Sequence, residues 1–523
     1  MNSAGNVEFN SESTILTAKS NYGANGIGGY GNIDFNGKNA TINAIVTDGV
    51  GKANAIGILV GNNLDVSQNV EKFNIVVEGA GVDNGKPGNS NGTAGIYGRG
   101  GNTEINSQNL NITVTAGQDT ANSIFDITQV DKDYSNTHGI RVDAGGEVNV
   151  GSATATVINV TDGYKNAIGL YASLSPEASE AQYGAGTISI LGNTTITVTG
   201  KTASNALLAE DGGQINVGSA GKTVNLTGDV KVDGGTVTNI GDTTINGRLI
   251  VKNNGTGSEY TSTGERLSVD GGSAGTAVEV ENNGNILNFH AKNTELKADG
   301  DSYSYAFYVA ANTNSNEAGR GATVIDFAGD TTKITATAIA GRAHGLRINR
   351  NAFGGANMTS DITFGSATTN ITVGGNVAAD DYSEQVAGIW SSGGGLSYNV
   401  SSNITFTGNA TIDVSSKGGN AYGIFIEKGQ SQGTMNIDFQ DNTVISTHNA
   451  DGSGDAVYVD GADVSVSLGS AGKTVSLTGD VTALNDAEIT LAGDTNTVKG
   501  TVTADAGIVF LAGGDKATYT VNL

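Results

Sequence analysis

The densest concentration of chemistry-bearing side chains is Gly341–Arg350, GRAHGLRINR, which holds Arg342, His344, Arg347 and Arg350. Guanidinium groups bind carboxylates in a bidentate fork, and a histidine beside them transfers a proton near neutral pH. Gathered on one coil face, such a set would grip an acidic polysaccharide and act as a lyase, or with paired carboxylates as a hydrolase. No matching acidic cluster can be assigned from the sequence, so this chemistry is the second reading and not the first. The chain has four His (His138, His290, His344 and His448), and none lies in HExxH. Neither a GxSxG elbow nor a GxxxxGK[ST] loop occurs. His138 and His344 stand at corresponding ends of a repeated strand, which marks a repeat position and not a ligand pair. Cys is absent, which excludes disulfides, thiol chemistry and Cys-ligated metals. Asp131 with Asp133, and Asp380 and Asp381 with Glu384, are acidic loop clusters open to calcium. Neither fits the EF-hand loop or the GGxGxD nonapeptide, and solvated loops are the plainer reading. No catalytic residue, metal ligand or cofactor is assigned.

A second set of residues is ordered by repetition. One strand-like segment recurs with a small residue first: Gly57, Gly95, Gly139, Gly169, Ala206, then Ala306, Gly345, Gly388, Gly423, Ala456. An apolar residue follows each: Ile58, Ile96, Ile140, Leu170, Leu207, then Phe307, Leu346, Ile389, Ile424, Val457. The third column reads Leu59, Tyr97, Arg141, Tyr171, Leu208, then Tyr308, Arg347, Trp390, Phe425, Tyr458. Strand side chains alternate faces, so the second and third columns point opposite ways. The apolar second column is the expected core. The third column is then expected outside as an aromatic and Arg ladder, with the small first column beside it as a shallow trough. Two uses of the ladder remain open: structural stacking of rings and guanidinium groups under folded-back loops, or an exposed strip for a sugar chain or a second copy. The candidate binding residues are Tyr97, Arg141, Tyr171, Tyr308, Arg347, Trp390, Phe425 and Tyr458.

These columns require stacked coils. Gly218–Val230 reads GSAGKTVNLTGDV and Gly469–Val481 reads GSAGKTVSLTGDV, 251 residues apart in a chain of 523. Ile33–Asn39 (IDFNGKN) and Leu287–Asn293 (LNFHAKN) hold nearly the same register. The chain is expected to be one continuous solenoid of two tandem copies, about 1–255 and 256–523. Each unit has three short strand-like pieces between Gly, Asn, Asp and Ser turns, as in NITFTG, NATIDVSS and AYGIFIE over Asn403–Glu427. That is one coil of a right-handed parallel β-helix, an all-β fold, repeated roughly 15 times over a length on the order of 70 Å. Polar insertions at Gly79–Gly92, Gln129–Thr137, Ala172–Gly186, Lys252–Arg266, Ala311–Gly321, Asn349–Asp361 and Ala378–Val386 read as surface loops.

The net charge of −25 repels phosphate backbones, so nucleic acid is not an expected partner. Seventy-nine Gly against two Pro excludes collagen-like and Pro-rich linker readings, and the periodic Val, Ile and Thr exclude disorder. No apolar run reaches the roughly 18 residues of a membrane helix.

The GSAGKTVNLTGDV unit, the NITFTGNATIDVSS strand pair and the Ala-x-Gly-Ile third strand resemble the passenger domains of Gram-negative autotransporters. The resemblance covers essentially the whole chain and rests on repeat style. It implies a β-helix exported through the outer membrane and displayed at the bacterial cell surface or released. It implies adhesion to a host glycan or surface protein, or self-association into aggregates or biofilm. A membrane contact is expected only through a C-terminal barrel that this sequence lacks, and the sequence holds no protease module.

Overall fold

Alternation of β-branched and polar residues, with a turn every few positions, leaves each segment one apolar edge to bury. The only economical burial is against the next coil. The structure, a computed structural model, is all-β and built that way. It describes every residue except 1, 4–5, 21–22, 30, 47–54, 80–92, 117–135, 164–165, 176–180, 253–256, 311–320, 350–357, 378–384, 393–399, 428–432, 451, 453, 515–516 and 523. Most of the predicted insertions fall among those exceptions, as do Arg350, Asp131, Asp133, Asp380, Asp381 and Glu384, which therefore lie outside the described residues. Among the described residues the only helical turns are the 3₁₀ turns Ala181–Tyr183 and Gly272–Ala274.

One coil shows the plan. A short first strand, Ile33–Phe35, is followed by a longer second strand, Asn39–Val46, and a third strand, Ala55–Val60. Each pairs in parallel with its counterpart one coil on: Asn63–Val66, Lys72–Gly79 and Thr93–Arg99. This is a parallel β-helix with three strands per coil. The chain forms two compact units, 1–246 with 254–259, and 247–253 with 260–523. Among the described residues the first unit holds eight third strands and the second nine.

Within each unit the core is a set of stacked columns. Ile42, Ile75, Ile112 and Ile158 of the second strands are fully buried, as are Ile58, Ile96 and Ile140 of the third strands. In the second unit five successive coils carry Phe at the same register position of the first strand. Phe289, Phe327, Phe364, Phe406 and Phe439 stack with centroid separations of 4.6, 4.6, 4.5 and 4.3 Å. The coil spacing of about 4.8 Å sets these separations, so identical rings in register stack face to face.

The glycine column does not form an outer trough. A Cβ built on Gly57 would lie 2.5 Å from Cγ2 of the core residue Ile75 and 2.5 Å from the carbonyl oxygen of Gly95. Gly95, Gly139, Gly345, Gly388 and Gly423 meet their own second-strand isoleucines in the same way. The position faces inward against the second strand, and both it and the following apolar residue point to the core. Only Gly or the small Ala occupies this position. Strand pairing passes over this point, with Ala94 opposite Ile56 and Ile96 opposite Ile58. The local departure from alternation leaves the residue before the glycine on the outside, beside the ladder.

Candidate functional site

The outer side of the third face therefore carries two columns. One is the ladder. The other consists of Ile56, Ala94, His138, Ile168 and Asn205 in the first unit, and Tyr305, His344, Ala387, Tyr422 and Asp455 in the second. Sequence spacing did not single out this column, which strict alternation along the strand would place on the core side. Its signal was the small residue itself, which forces the departure.

Coil stacking presses the two columns together and removes much of their surface. Ile56, Ala94, Tyr97 and Leu59 form one apolar cluster, and Ala387, Tyr422, Phe425, Trp390 and Tyr458 another. Tyr97 is 3% exposed and Phe425 5%, so neither is the open recognition residue that the sequence suggested. Tyr171, Tyr308, Arg347, Trp390 and Tyr458 are half-buried, and the Arg141 side chain keeps only 11% of its surface. The strip is a sealed layer with partly exposed rims.

In the first unit the layer is balanced in charge. The Arg141 guanidinium lies 4.8 Å from the Tyr97 ring centre and 5.8 Å from that of Tyr171. It donates to one oxygen of Asp143 from Nε at 3.2 Å and from Nη2 at 3.0 Å. The Tyr97 hydroxyl donates to both oxygens of Asp143 at 3.1 Å. Burial pushes the Asp143 carboxyl up, against the opposing pull of Arg141 and these hydrogen bonds. Farther along, the Tyr171 hydroxyl donates to Glu210 at 3.3 Å, and Lys231 bridges Glu210 and Asp233 at 3.5 and 2.8 Å. Burial, with Glu210 beside it, raises the Tyr171 hydroxyl to about 12. His138 packs on Tyr171 at 5.2 Å, and burial with nearby Arg141 holds its ring well below its usual pKa, hence neutral.

In the second unit the layer is richer in rings and cations. His344 stacks between Tyr305 at 5.3 Å and Trp390 at 5.1 Å, the latter within 7° of parallel. Its Nε2 meets the Gln385 carbonyl oxygen at 3.1 Å, and its Nδ1 is buried with no partner. Burial, then Arg347 and Arg342, keep the ring neutral. Arg347 lies 4.3 Å from the Trp390 ring centre, 4.5 Å from Tyr305 and 5.7 Å from Tyr308. Its Nη1 donates to the Tyr305 hydroxyl at 2.8 Å, while its Nε is buried and unpartnered. Burial lowers its pKa, and the second cation Arg342 adds to the effect. Trp390 is fixed by its indole N–H, which donates to Gln385 Oε1 at 2.7 Å. Tyr303 stands at the rim, 44% exposed, stacked on Tyr305 at 5.3 Å.

The structure brings Arg342, His344 and Arg347 together as the sequence grouping suggested. It seals His344 inside a ring stack at 1% exposure, where it touches no solvent-borne polymer. Among the described residues no group of three or more His, Asp or Glu side chains is arranged to hold a metal ion. The fold and its outer layer define the class, a parallel β-helix with an aromatic and Arg layer along one face. No protein family, curated protein or solved structure matches the chain.

Proposed function

We propose that this chain is a bacterial surface-displayed or secreted adhesin of the autotransporter passenger type, acting through the outer layer of its third face. The partner is a host glycan or surface protein, or a second copy of the chain. The observation that carries the reading is the composition and continuity of that layer. In each unit, aromatic and Arg side chains follow one another on adjacent coils, held in place by stacking and hydrogen bonds. Rigid aromatic and Arg anchors with partial exposure are the residues that dominate binding surfaces, because they bring area without losing much conformational freedom. The parallel ladder beneath supplies rigidity, and the net charge of −25 keeps such a surface soluble and disfavours nucleic acid.

The test is binding of the purified protein to a glycan panel and to itself, comparing wild type with Trp390→Ala and Tyr458→Ala. Both rings lie at the half-buried rim, so circular dichroism should stay unchanged while binding falls at least about tenfold. Unchanged binding would return the layer to a purely structural role. Depolymerisation of an acidic polysaccharide, abolished by Arg347→Ala, would replace adhesion with the lyase or hydrolase reading of Arg342, His344 and Arg347.

A further inference from the structure

The two units hold the same outward triad with one atom type changed. In the first, Tyr97, Arg141 and Asp143 form Tyr–Arg–Asp across adjacent coils, with Tyr97 opposite Arg141 in strand register. In the second, Tyr308 lies opposite Arg347, and the residue two beyond Arg347 is Asn349. Asn349 donates to the Tyr308 hydroxyl at 3.4 Å, where Asp143 accepts from Tyr97. The carboxylate that neutralises Arg141 is thus a carboxamide beside Arg347. Among the described residues no carboxylate pairs with Arg347. It keeps a neutral phenol, two further rings and a second cation nearby. A cation half-buried without a counter-ion is unfavourable, and it is out of keeping with a chain that carries 52 acidic against 27 basic residues.

We propose that Arg347, walled by Tyr305, Tyr308 and Trp390, is an anion subsite that takes the carboxylate or sulfate of an acidic carbohydrate. The assignment rests on the adhesin reading and names its ligand class. Arg347 remains partly exposed, so an oxyanion can supply from outside what Asp143 supplies from within. Tyr303, exposed at the rim, offers apolar ring surface on which the C–H face of a pyranose packs, and Trp390, stacked on His344, stays partly exposed beside Arg347. A peptide fits less well. The strand Arg342–Asn349 is paired on both edges, with Tyr303–Ala310 and with Val386–Ser392, which leaves no free edge for an added strand.

Trp390 is the only Trp in the chain and reports directly on this site. Its fluorescence is followed during titration with a uronate-bearing oligosaccharide, a sulfated oligosaccharide without uronate, and a neutral one of equal length. At least one anionic sugar should bind at least about tenfold more tightly than the neutral one, and the stronger arm identifies the oxyanion. Arg347→Gln should lose that preference. Asn349→Asp should lose it too while keeping Arg347, because it rebuilds the internal pair of the first unit; unchanged circular dichroism and melting temperature certify its fold. Equal binding of all three sugars, preference retained in either variant, no binding of any sugar, or tighter binding of an Asp/Glu-rich peptide would each overturn the subsite. Neutral-glycan or self-binding that still depends on Trp390 would leave the broader adhesin reading intact, so the two failures are distinguishable.

Discussion

Arg141 gives two hydrogen bonds to a single oxygen of Asp143, whose side chain has no exposed surface. Such a pair is stable only while both members remain, because each is the other's replacement for water. Asp143→Asn retains the shape and strands the cation. It is expected to lower the stability of the first unit by on the order of 3 kcal/mol. It should also give that unit the preference for acidic sugars that Asn349→Asp removes from the second. Denaturant unfolding and sugar titration check the two parts.

Tyr97 and Trp390 should behave differently, although their strands present them in the same column. Tyr97 is almost fully buried and its hydroxyl holds Asp143, so Tyr97→Phe is expected to cost about 1.5–3 kcal/mol as a hydrogen bond to a charged group. Trp390→Ala should chiefly affect binding. Parallel melting and binding curves for the two variants would separate the roles.

The glycine column can be probed one methyl group at a time. Gly139→Ala sets a Cβ 2.4 Å from Ile158 Cγ2 and 2.6 Å from the Gly169 carbonyl oxygen, an overpacking expected to cost about 1–3 kcal/mol. Gly98→Ala meets nothing closer than 3.5 Å and should be nearly neutral. Hydrogen exchange of the third strands of the first unit would report both. In the second unit, Phe364→Ala breaks the ring stack at its middle and should cost about 3–5 kcal/mol.

Two outward groups in the second unit give opposite pH dependences. Burial, helped by Asp480 and opposed by a hydrogen bond from Thr482, raises the Asp455 carboxyl to about 6 from 3.8. The folded state therefore binds that proton more tightly than the unfolded chain, and stability from this group declines as pH rises through the range 3.8 to 6. Asp455→Asn should flatten that decline. His344 is held neutral, so the unfolded chain takes up its proton first and stability falls as pH drops below 6.5. His344→Gln should reduce that loss. Melting temperatures at a series of pH values measure both.

The solenoid, its three strands per coil and the membership of the ladder were legible because coil stacking turns a repeat in sequence into a column in space. Ile140 and Ile389 are core residues and Arg141 and Trp390 lie outside, as the alternation of the ladder strand required. The direction of the glycine column was not legible, since Gly57 and Ile58 both face inward and alternation forbids that. The burial of Tyr97 was also hidden. It arises from Ala94 and Ile56 beside it, a column that appears only once the glycine is placed. The exchange of Asp143 for Asn349 was present in the sequence, yet it acquires meaning only when Tyr97 and Tyr308 are seen in the same place relative to it.

Recognition through the third face is tested most directly by hydroxyl-radical footprinting of the protein with and without a bound uronate-bearing oligosaccharide. The expected result is protection of Tyr303, Tyr308 and Trp390, with the exposed second-strand residue Ile15 and the exposed Ile339 unchanged. Protection at Ile15 or Ile339, with Trp390 as reactive as in the free protein, would contradict it.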